Sequence, residues 1–164
     1  MAKKARIKKI LVEQILDKAK IPYETIVFSG GMNRNQAELD AYGLTDHDIY
    51  KTLALDGNVT GPVIGIVPVD NHLNEKKLAA VSGNKKVNMI PTKDLQKTTG
   101  YIHGANNPVG IWQTKKFPIY FDNSAKEAGT ITISAGEVGR SIRIDAAALA
   151  QFVHAKFADI RMVE

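Results

Sequence analysis

Ile49-Tyr50-Lys51-Thr52-Leu53-Ala54-Leu55-Asp56-Gly57-Asn58 and, five residues on, Val63-Ile64-Gly65-Ile66-Val67-Pro68-Val69 decide the fold class. Each apolar run is rich in β-branched and aromatic residues and too short for a typical helix, and Asp-Gly-Asn between them is a strong turn signal. The pair reads as two adjacent strands forming a hairpin. Working outward, Ile7, Ile10, Leu11, Ile15 and Leu16 recur at helical spacing opposite Lys8, Lys9, Glu13 and Lys20. That pattern predicts an amphipathic helix of about four turns, ended at Ile21-Pro22, because the residue before proline is pushed out of the helical region. Residues 23–28 read as a strand broken by Ser29-Gly30-Gly31, and residues 35–42 as a short helix closed by Gly43, with Thr45 or Asp46 capping the turn that follows. Asn74 caps a helix running through Val81; 86–90 is a short strand and 92–98 a short helix ended by Gly100. Residues 117–121, 130–134 and 141–144 are β-rich, 134–139 supplies a turn, and Asp145 caps a closing helix over 146–152.

Helices interrupt these strands without regular βαβ alternation. The expected architecture is α+β: one domain over 1–164, with a mixed, mostly antiparallel sheet or partly open barrel and surrounding helices. A chain of 164 residues supports such a core without disulfides or a structural metal. It contains no cysteine, which excludes disulfide frameworks, thiolate zinc sites and a cysteine nucleophile. The four histidines (47, 72, 103, 154) lack H-x-x-x-H spacing, and neither a G-x-G-x-x-G after a strand nor a G-x-S-x-G elbow is present. No cofactor or metal is expected. No apolar run approaches ~20 residues and no signal peptide is legible, so the expected location is the cytoplasm, without a membrane partner.

The net charge of +5 is unevenly placed. Residues 1–20 hold seven bases (Lys3, Lys4, Arg6, Lys8, Lys9, Lys18, Lys20) against Glu13 and Asp17. Residues 76–126 carry nine lysines and only Asp94 and Asp122, an excess of +7. Solvated lysine faces account for such a distribution as well as a surface that meets phosphates does.

Three local features carry more chemistry. Lys51 lies inside an apolar β run; alternation either turns it to solvent on an open sheet face or holds it beside a reacting group. Gly100-Tyr101-Ile102-His103-Gly104-Ala105-Asn106-Asn107-Pro108-Val109-Gly110 is a tight loop, either purely structural or one whose N–H groups converge on an oxygen. Ser134-Ala135-Gly136-Glu137-Val138-Gly139 reads by itself as a hairpin turn.

In this order, I-Y-K-T-L (49–53), V-P-V-D (67–70), K-K-V (85–87), T-G-Y-I-H-G-A-N-N-P-V-G (99–110), D-x-S-A (122–125) and I-S-A-G-E-V-G (133–139) resemble the YbaK/EbsC family of aminoacyl-tRNA editing proteins. The resemblance runs from about residue 8 to the C-terminus. It implies a deacylase acting on mischarged Cys-tRNA(Pro), with a ProX-like Ala-tRNA(Pro) deacylase or a non-catalytic tRNA-binding module as alternatives. It further implies that Lys51 and Gly104 are the catalytic positions, and that Phe28, Thr52, Ala105, Asn106, Pro108, Ser134, Gly136 and Ser141 bind substrate. The implied partner is mischarged tRNA(Pro), with prolyl-tRNA synthetase as a further candidate, and the implied mechanism is attack by the cysteine substrate's own thiol on its carbonyl. Family members typically read G-G-I-S-P where this chain reads G-A-N-N-P, so Ala105 and Asn107 replace glycine and serine; Ser141 stands where many members carry aspartate. These departures bear on amino-acid preference more than on the reaction.

Overall fold

Two antiparallel hairpins, each extended by further strands, organise the protein. The computed structural model describes residues 9–29 and 36–162. Its elements are α1 (Leu11–Lys18), β1 (Tyr23–Val27), α2 (Gln36–Ala41), a 3-10 turn (Asp46–Asp48), β2 (Tyr50–Gly57), β3 (Gly61–Pro68), α3 (Glu75–Ser82), β4 (Val87–Met89), α4 (Thr92–Thr99), α5 (Pro108–Lys115), β5 (Ile119–Asp122), α6 (Asn123–Ala128), β6 (Thr130–Glu137), β7 (Arg140–Asp145), α7 (Ala146–Phe152) and β8 (Lys156–Ala158). One sheet has the order β1-β7-β6 and the other β4-β2-β3-β5-β8. Four pairings are antiparallel; β3 with β5 and β5 with β8 are parallel. The architecture is mixed α+β as expected, and the two sheets do not close into a barrel. Their side chains share a core, and among the described residues an isolated parallel bridge, Ile49 with Thr132, links the two sheets through the backbone.

The central hairpin pairs Tyr50 with Pro68 through Gly57 with Gly61. Strand β3 is buried on both faces: Ile64 and Ile66 join the main core with Phe121, Ile131, Ile133, Ile142 and Leu149, while Val63 and Val67 join Leu55, Leu78 and Ile160 on the other side. A third cluster of Ile26, Phe28, Leu39, Leu44 and Ile49 closes the end near the bridge. Asn74 caps α3 by accepting from the Lys77 N–H (3.0 Å) and Asp145 caps α7 through the Ala148 N–H (2.8 Å), both at the expected positions.

The structure departs from expectation in five places. Helix α1 begins at Leu11, so it is shorter than the four turns predicted; Ile7, Lys8, Lys3, Lys4 and Arg6 lie outside the described residues, as does Asn35 ahead of α2. The 134–139 turn is mostly strand: β6 runs to Glu137 through a bulge between Ser134 and Glu137, where Gly136 adopts a φ of 104° that a side chain would resist. Helix α5 was not legible, because Pro108, Val109, Gly110 and Ile111 are all buried and leave no apolar stripe to read. Helix α6 is only six residues long, and β8 only three.

Candidate active site

A cleft of about 630 Å³ opens between the two sheets. Five consecutive residues of β2, Tyr50 through Ala54, line it. Alternate residues of a strand point to opposite faces, so an unbroken run of five means that the cleft follows the edge of the strand. That edge is open from Tyr50 to Leu53, because β4 pairs with β2 at Leu55, Asp56 and Gly57 and the Ile90 N–H beyond it donates to the Ala54 carbonyl (3.1 Å). The opposite wall comes from the three-stranded sheet: Ser134 and Ser141 face each other in register across β6 and β7, and Phe28 is tied to the hairpin end by its N–H donating to the Gly139 carbonyl (2.7 Å). Met89, Ile90, Pro91, Thr92 and Leu95, around the start of α4, form an apolar side, and His103, Gly104 and Asn106 complete the rim.

Lys51 is half-buried in this cleft. Burial pushes its ammonium below the ordinary 10.5, against the opposing attraction of Asp70. Among the described residues no carboxylate forms an ion pair with Lys51 and no acceptor takes a hydrogen bond from it; Asp70 lies 3.5 Å from His47 instead (Oδ1 to Nδ1). A partly desolvated cation without a fixed counter-charge attracts an anion or a polarised oxygen.

The glycine loop is held by its asparagines. Asn107 accepts from the Gly110 N–H (2.6 Å), capping α5, and donates to the Ala105 carbonyl (3.1 Å). Asn106 donates to the Ile102 carbonyl (3.2 Å), and the Ala105 N–H donates to the same carbonyl (3.0 Å). Gly104 sits at φ 89°, a left-handed conformation in which a side chain is strained.

Of the residues expected from the sequence, Phe28, Lys51, Thr52, Gly104, Asn106, Ser134 and Ser141 converge on the cleft; Ala105, Pro108 and Gly136 do not line it. Ala105 and Pro108 are buried in the loop and the first turn of α5, and Gly136 occupies the bulge. The structure also gives the loop departures a local reason. Asn107 is fully buried and caps a helix, a position where asparagine and serine are both favoured, so this substitution serves the loop rather than the cleft wall.

One charged residue of the wall escaped sequence reading. Arg140 lines the cleft and is fixed by Glu13 of α1: Nε donates to Oε2 (3.1 Å) and Nη2 to Oε1 (2.5 Å). Glu13 also accepts from the Thr25 hydroxyl (2.7 Å) and the Ile10 N–H (3.2 Å), and its side chain is only 1% exposed. Burial raises its carboxyl, but the hydrogen bonds from Arg140, Thr25 and Ile10 outweigh this and hold it below the ordinary 4.5. The partners are 127 residues apart, so no local pattern marks them. Among the described residues no group of His, Cys, Asp and Glu side chains could hold a metal, and no helix is long and apolar enough to cross a membrane.

In sequence and in fold the chain is similar to known proteins. The family model of the aminoacyl-tRNA editing domain matches residues 34–152. The chain belongs to that family, as its K-T-L run and its G-x-x-x-P loop indicate. It is similar over its whole length, at 37% identity and with all of both chains covered, to the Enterococcus faecalis protein named "Putative Cys-tRNA(Pro)/Cys-tRNA(Cys) deacylase EbsC". Its fold matches the crystal structure of a hypothetical protein (TM-score 0.81, 18% identity, 92% of this chain and 99% of that one). It also matches the structure of "a putative trans-editing enzyme for prolyl tRNA synthetase" (TM-score 0.78, 20% identity, 93% and 95%).

Proposed function

We infer that this protein is an aminoacyl-tRNA deacylase, a single editing unit over residues 1–164 that clears mischarged Cys-tRNA(Pro) in trans. The observation that carries the reading is the pairing, in one cleft, of the half-buried Lys51, free of any ion pair among the described residues, with the left-handed Gly104 loop. Full-length similarity to a protein named as a Cys-tRNA deacylase supports the substrate class.

The substrate is an ester between an aminoacyl group and the 3′ oxygen of the terminal ribose. An ester is already activated, so the site needs chiefly to stabilise the oxyanion that develops at the carbonyl, with N–H donors and a cation. Gly104 lets the backbone approach the carbonyl closely, and the Lys51 ammonium supplies the positive charge. The cysteine thiol attacks its own carbonyl carbon, and the C–O bond to the ribose breaks. The thiol proton passes to the departing 3′ oxygen. Water then opens the cyclic thioester to free cysteine. Such chemistry needs no protein nucleophile and no acid–base dyad, consistent with a chain that lacks cysteine. The partner is mischarged tRNA(Pro), met by the basic surface, and prolyl-tRNA synthetase is a second candidate partner.

The test compares deacylation of cysteinyl-, alanyl- and seryl-tRNA, each carrying the proline anticodon. Seryl-tRNA is close in size to the cysteinyl substrate but lacks the thiol. Rapid loss of the cysteinyl ester with the seryl ester spared supports this reading. Preferred hydrolysis of alanyl-tRNA makes the protein an alanyl-tRNA deacylase, and salt-dependent binding with all three esters intact makes it a tRNA-binding module.

A further inference from the structure

We propose that the Asn106 carbonyl oxygen and the Thr52 hydroxyl receive the α-ammonium group of the bound aminoacyl moiety, and so set which way round the ester lies in the cleft. This rests on the deacylase reading and adds a recognition site to it.

Asn106 is 6% exposed and lines the cleft; its Nδ2 is engaged with the Ile102 carbonyl, which assigns Oδ1 as the remaining acceptor. Among the described residues that oxygen has no partner, and neither does the buried Oγ1 of Thr52, which lines the same cleft. Buried polar groups are nearly always paired, and two unpaired ones in one cleft point to a polar ligand group that completes them. The chemistry of that group follows from the acceptors. A carboxamide oxygen only accepts, and a hydroxyl can accept, so both fit a donor-only group; an ammonium has three N–H donors and no acceptor.

The rest of the wall agrees. Among the described residues its charged side chains are Lys51 and Arg140, the latter paired with Glu13, and no carboxylate lines it. A substrate ammonium entering such a cleft is repelled by the Lys51 ammonium and is satisfied by neutral acceptors. The carbonyl and ribose oxygens are attracted toward Lys51 for the same reason. Neutral acceptors for the ammonium and a cation for the oxygens therefore fix the polarity of the ester, and an analogue lacking the ammonium leaves the two acceptors unpaired.

The test uses two non-hydrolysable amides of 3′-amino-3′-deoxyadenosine, one carrying cysteine and one carrying 3-mercaptopropionate, which lacks the amino group. Binding of each is measured by calorimetry to wild type, Thr52→Val and Asn106→Leu, with circular dichroism to verify the fold of each variant. Wild type should prefer the cysteinyl compound by roughly tenfold or more, the size of a hydrogen bond to a charged group. Either variant should bring that ratio close to one. Thr52→Val keeps shape and strand propensity, so the ratio remains measurable if Asn106→Leu fails to fold. Equal wild-type binding of the two amides, or a ratio that persists in Thr52→Val, overturns the inference while leaving the deacylase reading intact. Failure of wild type to bind either amide overturns both.

Discussion

Replacing Glu13 by glutamine tests how the N-terminal helix supports the cleft wall. The carboxylate is buried at 1% exposure and accepts from Arg140 twice, from Thr25 and from Ile10. Glutamine keeps the shape, removes the charge and turns an N–H₂ donor toward groups that are themselves donors. Removing one partner of a buried pair costs about 3 to 5 kcal/mol, because the other charge is left uncompensated. Arg140 retains 12% side-chain exposure, which places the loss near the lower end, about 3 kcal/mol. For a chain of this length that lowers Tm by roughly 6 to 12 °C. The pH dependence has a definite sign. The folded carboxyl titrates below its ordinary 4.5, so its contribution is complete above that value and is lost as pH falls through the lower, folded one. Thermal unfolding followed by circular dichroism should therefore show a wide gap between wild type and Glu13→Gln at pH 7, narrowing below about pH 4.5. A gap under about 2 °C at pH 7, or one that stays constant down to pH 3, refutes the reasoning.

Gly104→Val should lose most deacylation, because φ 89° strains a branched residue and the side chain obstructs approach of the backbone to the carbonyl; turnover assays and circular dichroism on the same preparation separate inactivity from unfolding. Asn107→Ala should lower stability by about 1 to 2 kcal/mol in denaturant titration, since it removes the α5 cap and leaves the Gly110 N–H and the Ala105 carbonyl without their side-chain partner. Changing Lys85 and Lys86 together to glutamine should weaken tRNA binding without altering amino-acid preference, flattening the plot of log K against log salt by roughly 0.7 to 0.9 for each lost phosphate contact. Both side chains are exposed, so stability should be unaffected.

How far the fold is legible in the sequence depends on the range of the interactions. The central hairpin, the caps at Asn74 and Asp145 and the stop at Gly100 rest on residues within a few positions of one another, and the structure has them where the pattern puts them. Helix α5 was hidden because burial of its whole first turn removes periodicity, and β8 because three residues carry none. At the candidate site, Lys51 stood out as a cation in an apolar run, yet alternation alone could equally have sent it to solvent. Its exposure to the cleft follows from the pairing with β4 and Ile90 ending at Ala54, which leaves the edge from Tyr50 to Leu53 open. The anchoring of Arg140 by Glu13 depends on two segments that meet only in three dimensions. The same holds for Asn106 and Thr52, which line one cleft and whose unpaired oxygens emerge only when every nearby donor has been assigned.

Single-turnover hydrolysis of cysteinyl-tRNA(Pro) by wild type, Lys51→Ala and Lys51→Arg tests the central claim most directly. A cation facing a developing oxyanion contributes about 10²- to 10³-fold in rate, so Lys51→Ala should be slower by at least that factor with its circular dichroism unchanged. Lys51→Arg should fail as well, because a wide planar guanidinium does not replace a compact ammonium beside the Gly104 loop. Hydrolysis by folded Lys51→Ala at a rate within a few fold of wild type would contradict the account.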